Sequence, residues 1–296
     1  MISVIICSVD PKQLELVKDN IRSTIGIEHE IVAIDNSVNP RGICQVYNEG
    51  ALQAKYDVLC FMHEDIFYHT DHWGESVIKT FKEEINLGVL GIAGSKYKAL
   101  TPSSWHCYGI EDQASLNYNV IQNYKYSDKE KSIECSNPQN AKFQSVACID
   151  GVWFCCTKAA FDFYQFDEKK LTSFHGYDID FCLGVGEKFS VGVTFEILIE
   201  HFSEGNFNKF WLDEILKVHK KWSHKLPVNL VGLQKEKMLI EEKQAFKSLL
   251  KRMHEENFLP KEMFLAIFNS RKSRVMNLTL LFKLYFACFK IVSKRN

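Results

Sequence analysis

Short apolar runs alternate with helix-like patterns along the first hundred residues. Apolar runs of strand length fall at residues 2–7, 30–35, 58–62 and 89–94, and helical spacing occupies residues 13–21, 42–54 and 71–85. Asp10 and Pro11 mark the first helix, because they form a cap followed by proline at the first helical position. Uninterrupted apolar runs are typical of strands buried on both faces. The β-α-β order therefore predicts an α/β fold that is Rossmann-like, with a mostly parallel sheet flanked by helices.

The pattern changes after residue 95. Residues 95–144 are polar and lack clear periodicity, which favours long loops or a hairpin inserted on the sheet. Strand-like runs return at residues 145–156 and 191–199. Helical spacing then dominates at residues 211–224, 236–256, 260–268 and 277–294. We therefore expect a sheet domain at residues 1–225 and a helical C-terminal extension at residues 226–296.

Composition narrows the class of protein. The chain has 296 residues and is 46% hydrophobic, enough for a sizeable core, and its formal net charge of −1 offers no electrostatic case for nucleic acid. Ten cysteines without a C-x-x-C pair favour a reducing compartment, hence a cytoplasmic protein. The start of the chain resembles a strand and not a signal peptide, and no run reaches the roughly 18 to 20 apolar residues of a spanning helix.

A cluster of metal-capable side chains follows the apolar run at residues 58–62. His63, Glu64 and Asp65 stand where this strand ends, and ligands of open α/β sheets bind outside the carboxyl ends of strands. Acidic oxygens there suit a hard divalent cation, which usually serves a phosphate-bearing substrate. A polar loop after a core strand is the alternative.

Other polar positions recur at predicted strand ends and turns. Asp35 and Asn36 close the second strand, where they can hydrogen-bond a nucleotide or form an Asx-turn. Asp178 and Asp180 open a predicted helix, and on a helix residues two apart point to different sides. The remaining candidates are Asn48 in the second helix, the segment Asp150-Gly151-Val152-Trp153, and His201 after the last strand.

In this order the motifs resemble those of nucleotide-sugar glycosyltransferases of the GT-A fold, in particular the large inverting family 2. Those enzymes have a first strand, an Asp-containing turn after the second, an Asn-x-Gly in the next helix and a strand ending in Asp-x-Asp. Here the matching segments are Asp35-Asn36-Ser37, Asn48-Glu49-Gly50 and His63-Glu64-Asp65. The resemblance covers roughly residues 1–205. It implies a GT-A fold and a nucleoside diphosphate sugar as donor.

The resemblance also implies the metal ligands and the base. Asp65 would coordinate Mn²⁺ or Mg²⁺, and His201 matches a late histidine that adds a ligand in many GT-A enzymes. His63 departs from the family pattern by replacing the first acid, and imidazole suits Mn²⁺ better than Mg²⁺. Asp178 matches the Asp of the family's Glu-Asp motif, the general base. Asp180 is left with a structural role as a helix cap.

The same resemblance implies how the donor is held. Asp35, Asn36 and Asn48 would contact the nucleotide. Asp150, Gly151 and Trp153 would line the sugar pocket, with the indole stacked on a sugar ring. A core position for Trp153 is the alternative.

The predicted function is inverting, metal-dependent transfer of a sugar to a glycan or lipid-linked glycan acceptor, in surface polysaccharide synthesis at the inner face of a membrane. The basic, apolar helix at residues 277–294 would allow peripheral membrane contact, or would pack on the protein. A non-catalytic nucleotide- or carbohydrate-binding module of the same fold is the first alternative. A sugar-phosphate nucleotidyltransferase is less favoured, because Ser8-Val9-Asp10-Pro11 replaces the Gly-rich loop expected after the first strand.

Overall fold

Seven strands form the larger sheet: β1 (Ile2–Ser8), β2 (His29–Asp35), β3 (Val58–Met62), β5 (Leu87–Gly91), β10 (Phe143–Val146), β12 (Trp153–Thr157) and β13 (Ser190–Thr194). Their order in the sheet is β10-β13-β5-β12-β3-β1-β2. The computed structural model describes residues 1–107, 110, 115–125, 128–205 and 207–293. Parallel pairing joins β2 to β1, β1 to β3 and β5 to β13, while β12 and β10 run the other way.

Helices cover this sheet, and alternate residues of its strands face opposite sides. Val4 and Ile6 join a buried cluster that includes Trp73. Ile5 and Phe61 face the other way, and a Cβ at Gly50 would lie 2.4 Å from the Ile5 side chain, so glycine lets α2 approach β1 closely. The helices in this part of the chain are α1 (Pro11–Thr24), α2 (Ile43–Gln53), α3 (Trp73–Glu83), α4 (Lys158–Phe163) and α5 (Tyr177–Val185).

A second sheet has the strand order β11-β6-β8-β14-β4, with β9 paired to β8. Its strands are β4 (Ile66–Tyr68), β6 (Ala93–Ser95), β8 (Leu116–Gln122), β9 (Ser132–Ser136), β11 (Cys148–Ile149) and β14 (Ile199–His201). Antiparallel pairing of β8 with β9 agrees with a hairpin in the polar segment at 95–144. The strand-like run at 145–156 divides into β10, β11 and β12, and the run at 191–199 divides into β13 and β14, so each run contributes to both sheets.

The chain forms two compact units, residues 1–95 with 116–205, and residues 96–115 with 206–296. The first holds both large sheets. The C-terminal segment of the second unit begins at residue 206, upstream of the predicted 225/226 border, which stays a prediction. Its elements are β7 (Tyr97–Lys98), β15 (Val228–Asn229), α6 (Lys209–Trp222), α7 (Lys235–Glu255), α8 (Pro260–Asn269) and α9 (Leu278–Val292). In the described part of the chain, no helix combines the length and the apolar character needed to cross a membrane.

Candidate metal and active site

Strand pairing brings three predicted metal ligands together. His63 follows the last residue of β3, where its backbone N–H donates to Val152 O at 3.0 Å. β4 begins one residue after Asp65 and pairs antiparallel with β14, so that Ile66 stands opposite His201. The N–H of Phe202 donates to the Asp65 carbonyl at 3.0 Å, which closes the ladder beside the carboxylate. Asp65 and His201, which are 136 positions apart in the sequence, are therefore neighbours in the structure.

Nitrogen and oxygen atoms of these side chains converge on one point. Nδ1 of His63 lies 3.8 Å from Asp65 Oδ1, and Nε2 of His201 lies 3.7 Å from Asp65 Oδ2. Ligand atoms from all three residues lie within 4.8 Å of one another. The two separations are too long for hydrogen bonds but suit atoms that each reach about 2.1 Å to one shared ion.

The hydrogen bonds around His63 determine which of its nitrogens carries a lone pair. The Tyr177 hydroxyl donates to Gly151 O at 2.9 Å, and Nε2 of His63 lies 3.0 Å from the same hydroxyl. Burial raises the pKa of Tyr177 well above its ordinary value, so the hydroxyl keeps its single proton. Because a carbonyl only accepts, that proton points to Gly151, and Nε2 of His63 must donate to the hydroxyl oxygen. Nδ1 then faces Asp65 with a free lone pair.

His201 is oriented in the same way by Gln122. β14 pairs parallel with β8, which places His201 opposite Gln122. The Gln122 amide nitrogen donates to the carbonyls of Asn123 and Ser203 at 2.6 and 2.9 Å, so its oxygen is the atom 3.3 Å from His201 Nδ1. That oxygen accepts from Nδ1, and Nε2 is left with a lone pair toward Asp65. Among the described residues, this Nε2 is a buried nitrogen without a hydrogen-bond partner.

The charge state of the cluster also suits a cation. Burial alone would raise the pKa of Asp65, but the positive charge that His201 and His63 carry when protonated, together with the Ser203 hydroxyl, outweighs it and holds that pKa below its usual range. Ser203 Oγ donates to Asp65 Oδ2 at 2.6 Å. Burial lowers the pKa of His201, which keeps the ring neutral. An ionised carboxylate with two imidazole lone pairs suits Mn²⁺ and similar transition-metal ions better than it suits Mg²⁺. These residues therefore fit such an ion.

Glu64 belongs to the fold and not to the metal cluster. Its buried carboxylate accepts from Ser8 Oγ at 2.6 Å and from the N–H groups of Val9 and Asp10 at 2.9 and 3.0 Å. These bonds tie the end of β3 to the turn that follows β1. Glu64 therefore points away from the position where His63 and Asp65 meet.

Asp178 lies in the first turn of α5, next to the tyrosine that orients His63. It is partly exposed, and a Cβ added to Gly151 would lie 3.1 Å from its Cβ and 2.3 Å from the Tyr177 hydroxyl. Glycine at position 151 thus lets α5 approach the metal cluster. The predicted cap at Asp180 is wrong, because Gly176 caps α5 and the buried Asp180 accepts from Tyr164 Oη at 2.8 Å. The catalytic role of Asp178 stays a prediction.

The predicted nucleotide-binding residues have structural partners of their own. Asp35 is exposed and accepts from the N–H and the hydroxyl of Ser37 at 2.9 and 2.6 Å, which forms the Asx-turn. Buried Asn36 donates to Arg41 O and accepts from Arg41 N, each at 2.9 Å. Asn48 bonds to the backbone of Phe166 through both ends of its amide. Nucleotide contact by Asp35, Asn36 and Asn48 stays a prediction, and exposed Asp35 is the best placed of the three.

The predicted sugar-pocket residues divide into two groups. Asp150 is partly exposed, and its Oδ1 accepts from Val152 N at 2.8 Å. Trp153 is 0% exposed, and its Nε1 donates to Tyr68 Oη at 2.7 Å. A ring with no exposed face cannot stack on a sugar, so that prediction is corrected in favour of the core position. The role of Asp150 in binding a sugar stays a prediction.

Three residues of the site were missed in the sequence. Tyr177, Gln122 and Ser203 hold the cluster in place by hydrogen bonds to His63, His201 and Asp65 respectively. Tyr177 could have been found, because it directly precedes the predicted base. Gln122 lies in a polar segment without a motif, and only the pairing of β8 with β14 brings it to His201.

Comparisons with known proteins show a family match and a similar fold. The sequence profile of the family described as "Glycosyltransferase like family" matches residues 3–221. No curated protein matches the chain. Solved structures that are similar to this chain include A197 from STIV (15% identity, TM-score 0.40, 69% of this chain and 86% of that one), the mannosyltransferase PcManGT from Pyrobaculum calidifontis in complex with GDP-Man and Mn²⁺ (10%, 0.48, 100% and 88%), and GalNAc-T7 with UDP, GalNAc and Mn²⁺ (10%, 0.50, 86% and 57%). At this identity the likeness to GalNAc-T7 shows the fold alone, and the predicted GT-A fold is confirmed.

Proposed function

Because this chain belongs to the glycosyltransferase-like family, we propose that it transfers a sugar from a nucleoside diphosphate sugar to a hydroxyl of a glycan or lipid-linked glycan, with inversion at the anomeric carbon. Membership of the family confirms the predicted class of enzyme. The inverting course, the acceptor and a role in surface polysaccharide synthesis at the inner face of a membrane are parts of the proposal.

The observation that carries the proposal is the arrangement of His63, Asp65 and His201. Hydrogen bonds direct a lone pair of each imidazole toward one carboxylate, and the nitrogen of His201 has no other partner among the described residues. GalNAc-T7, which shares the fold, was solved with UDP, GalNAc and Mn²⁺. A divalent cation held by these three residues, Mn²⁺ in preference to Mg²⁺, would offset the charge that develops on the departing diphosphate.

The residues of the chain perform the remaining steps. The Asp178 carboxylate takes the proton of the acceptor hydroxyl as that oxygen forms a bond to the anomeric carbon. The bond from this carbon to the diphosphate oxygen breaks, and its electron pair leaves with the nucleoside diphosphate. A single displacement inverts the configuration and requires no covalent enzyme intermediate. Asp35 and Asp150, both accessible to solvent, are proposed to contact the nucleotide and a sugar hydroxyl.

A non-catalytic module that binds a nucleotide or carbohydrate is the second candidate function. It was supported by His63, which stands where the family pattern has the first acid of Asp-x-Asp. The tautomer of His63 weakens that support, because the ring offers the metal position a lone pair as the acid would. The nucleotidyltransferase alternative is not proposed. The turn after β1 is bound to Glu64 and has no Gly-rich sequence.

The test is release of nucleoside diphosphate from a panel of nucleotide sugars, with and without Mn²⁺. We expect metal-dependent release from at least one donor, and a loss of at least about a hundredfold in Asp178→Asn. The Asp178→Asn variant should bind Mn²⁺ with unchanged affinity, and this unchanged affinity shows that the variant is folded. Donor binding without turnover for every donor and acceptor would overturn catalysis and favour the binding module.

A further inference from the structure

Helix α9 is apolar on two opposite faces, and the part of the chain that the structure describes covers only one of them. Its inner face is buried through Leu280, Leu284 and Cys288, spaced four residues apart. Four large side chains form a second stripe on the opposite side, which we call the outer stripe: Leu278, Phe282, Phe286 and Phe289, with 71, 67, 60 and 63% of their surface exposed. A contiguous apolar surface of this kind marks an interaction site.

Basic side chains accompany the outer stripe, on α9 and in the segment before it. Residues 263–293 contain five basic side chains and no acidic one, in a chain whose formal net charge is −1. Lys283 and Lys290 are exposed on α9, and the Lys290 ammonium lies 4.5 Å from the centre of the Phe286 ring. Arg271 lies over the exposed Phe268 of α8, with its guanidinium carbon 3.7 Å from the ring centre. Aromatic and basic groups are therefore paired both on α9 and at the end of α8.

We propose that the outer stripe lies in the headgroup region of a membrane that contains anionic lipids. Aromatic side chains with a basic flank are the composition of helices that lie in this interface. α9 has 15 residues and is about 22 Å long at the rise of an α-helix, too short for a hydrocarbon core of about 30 Å. It therefore lies parallel to the membrane plane, with its inner face still packed on the protein.

The charges disfavour a second copy of this chain as the occupant. In a twofold dimer through this surface, each patch meets the same patch of the other copy. The five basic residues of one copy would then face the five of the other, with no acidic residue from 263 to 293 to offset them. Anionic lipids supply the opposite charge.

The test is sedimentation of the full chain with vesicles of neutral phosphatidylcholine, with and without phosphatidylserine. We expect binding to the anionic vesicles that weakens when salt is raised from 0.1 to 0.5 M. Phe282→Ser, Phe286→Ser and Phe289→Ser together should weaken binding by about a thousandfold, since burial of each ring contributes about tenfold. Lys283→Gln with Lys290→Gln should cost roughly 25-fold, about fivefold for each charge.

Controls come from exposed apolar residues elsewhere in the chain. Ile85→Ser and Leu52→Ser, at positions 95 and 79% exposed, should bind vesicles as the unaltered chain does. Equal binding to neutral vesicles, or absence of binding to both kinds, would overturn the proposal. The proposal would also be overturned if the chain formed a dimer but did not bind vesicles, and if the three phenylalanine substitutions abolished that dimer.

The proposal is independent of the proposed catalysis, because vesicle binding is measured without metal or donor. Donor hydrolysis by the triple phenylalanine variant in lipid-free solution should equal that of the unaltered chain. The predicted membrane segment at 277–294 ends at Lys294, which lies outside the described residues.

Discussion

Replacing Tyr177 by phenylalanine tests how the metal ligands are oriented. The substitution removes one oxygen, which donates to Gly151 O and accepts from His63 Nε2. Without it the lone pair of His63 is no longer held at Nδ1. Loss of a residue that orients a ligand typically lowers metal affinity by about 10- to 100-fold. We expect Mn²⁺ affinity, measured by titration calorimetry, to fall by that factor.

The same change affects folding stability, so a matched control is needed. The buried Gly151 carbonyl loses its donor, at a cost of about 1–3 kcal/mol in the free energy of unfolding. Tyr164→Phe removes an equivalent hydroxyl, which donates to Asp180 of α5 at 2.8 Å. It should lower stability to a similar degree and leave Mn²⁺ affinity unchanged. Equal Mn²⁺ affinity in the two variants would refute the orienting role of Tyr177.

Three further predictions concern residues outside the metal ligands. Glu64→Gln should lower the free energy of unfolding by about 1–3 kcal/mol in chemical denaturation, because an amide accepts less well from Ser8 and two backbone N–H groups, while Mn²⁺ affinity stays unchanged. Trp153→Phe should lower the melting temperature and leave the KM for the donor unaltered; a raised KM alone would restore the sugar-stacking role. Burial holds the pKa of His219 well below its usual value of 6.5, so below that pH the unfolded chain binds a proton that the folded chain excludes. Stability should therefore fall below pH 6.5, by up to about 1.4 kcal/mol per pH unit, and this part of the pH dependence should be missing in His219→Gln in melts between pH 5 and 7.

The apolar runs of the larger sheet could be predicted from the sequence because its central strands, β1, β3, β5 and β12, are buried on both faces. The runs at 2–7, 30–35 and 58–62 correspond to β1, β2 and β3. The second sheet could not be predicted in the same way. Its strands are as short as two or three residues, as in β11 and β14, and such lengths leave no periodic signal.

The metal cluster was predicted because His63, Asp65 and His201 each stand at or beside a strand end. Trp153 was misassigned because the sequence does not show whether a tryptophan beside a turn points into the core. The residues that orient the cluster depend on strand register and on the approach of α5 to Gly151, and neither is encoded in a local motif.

Pulsed electron paramagnetic resonance of the Mn²⁺-loaded protein tests the central claim most directly. Two imidazole ligands should give ¹⁴N couplings to the bound ion. His63→Ala and His201→Ala should each remove one of them, and His175→Ala, which alters a histidine that interacts electrostatically with His63 but lies outside the cluster, should leave both. Bound Mn²⁺ without nitrogen coupling, or couplings unchanged in both ligand variants, would contradict metal binding by His63, Asp65 and His201.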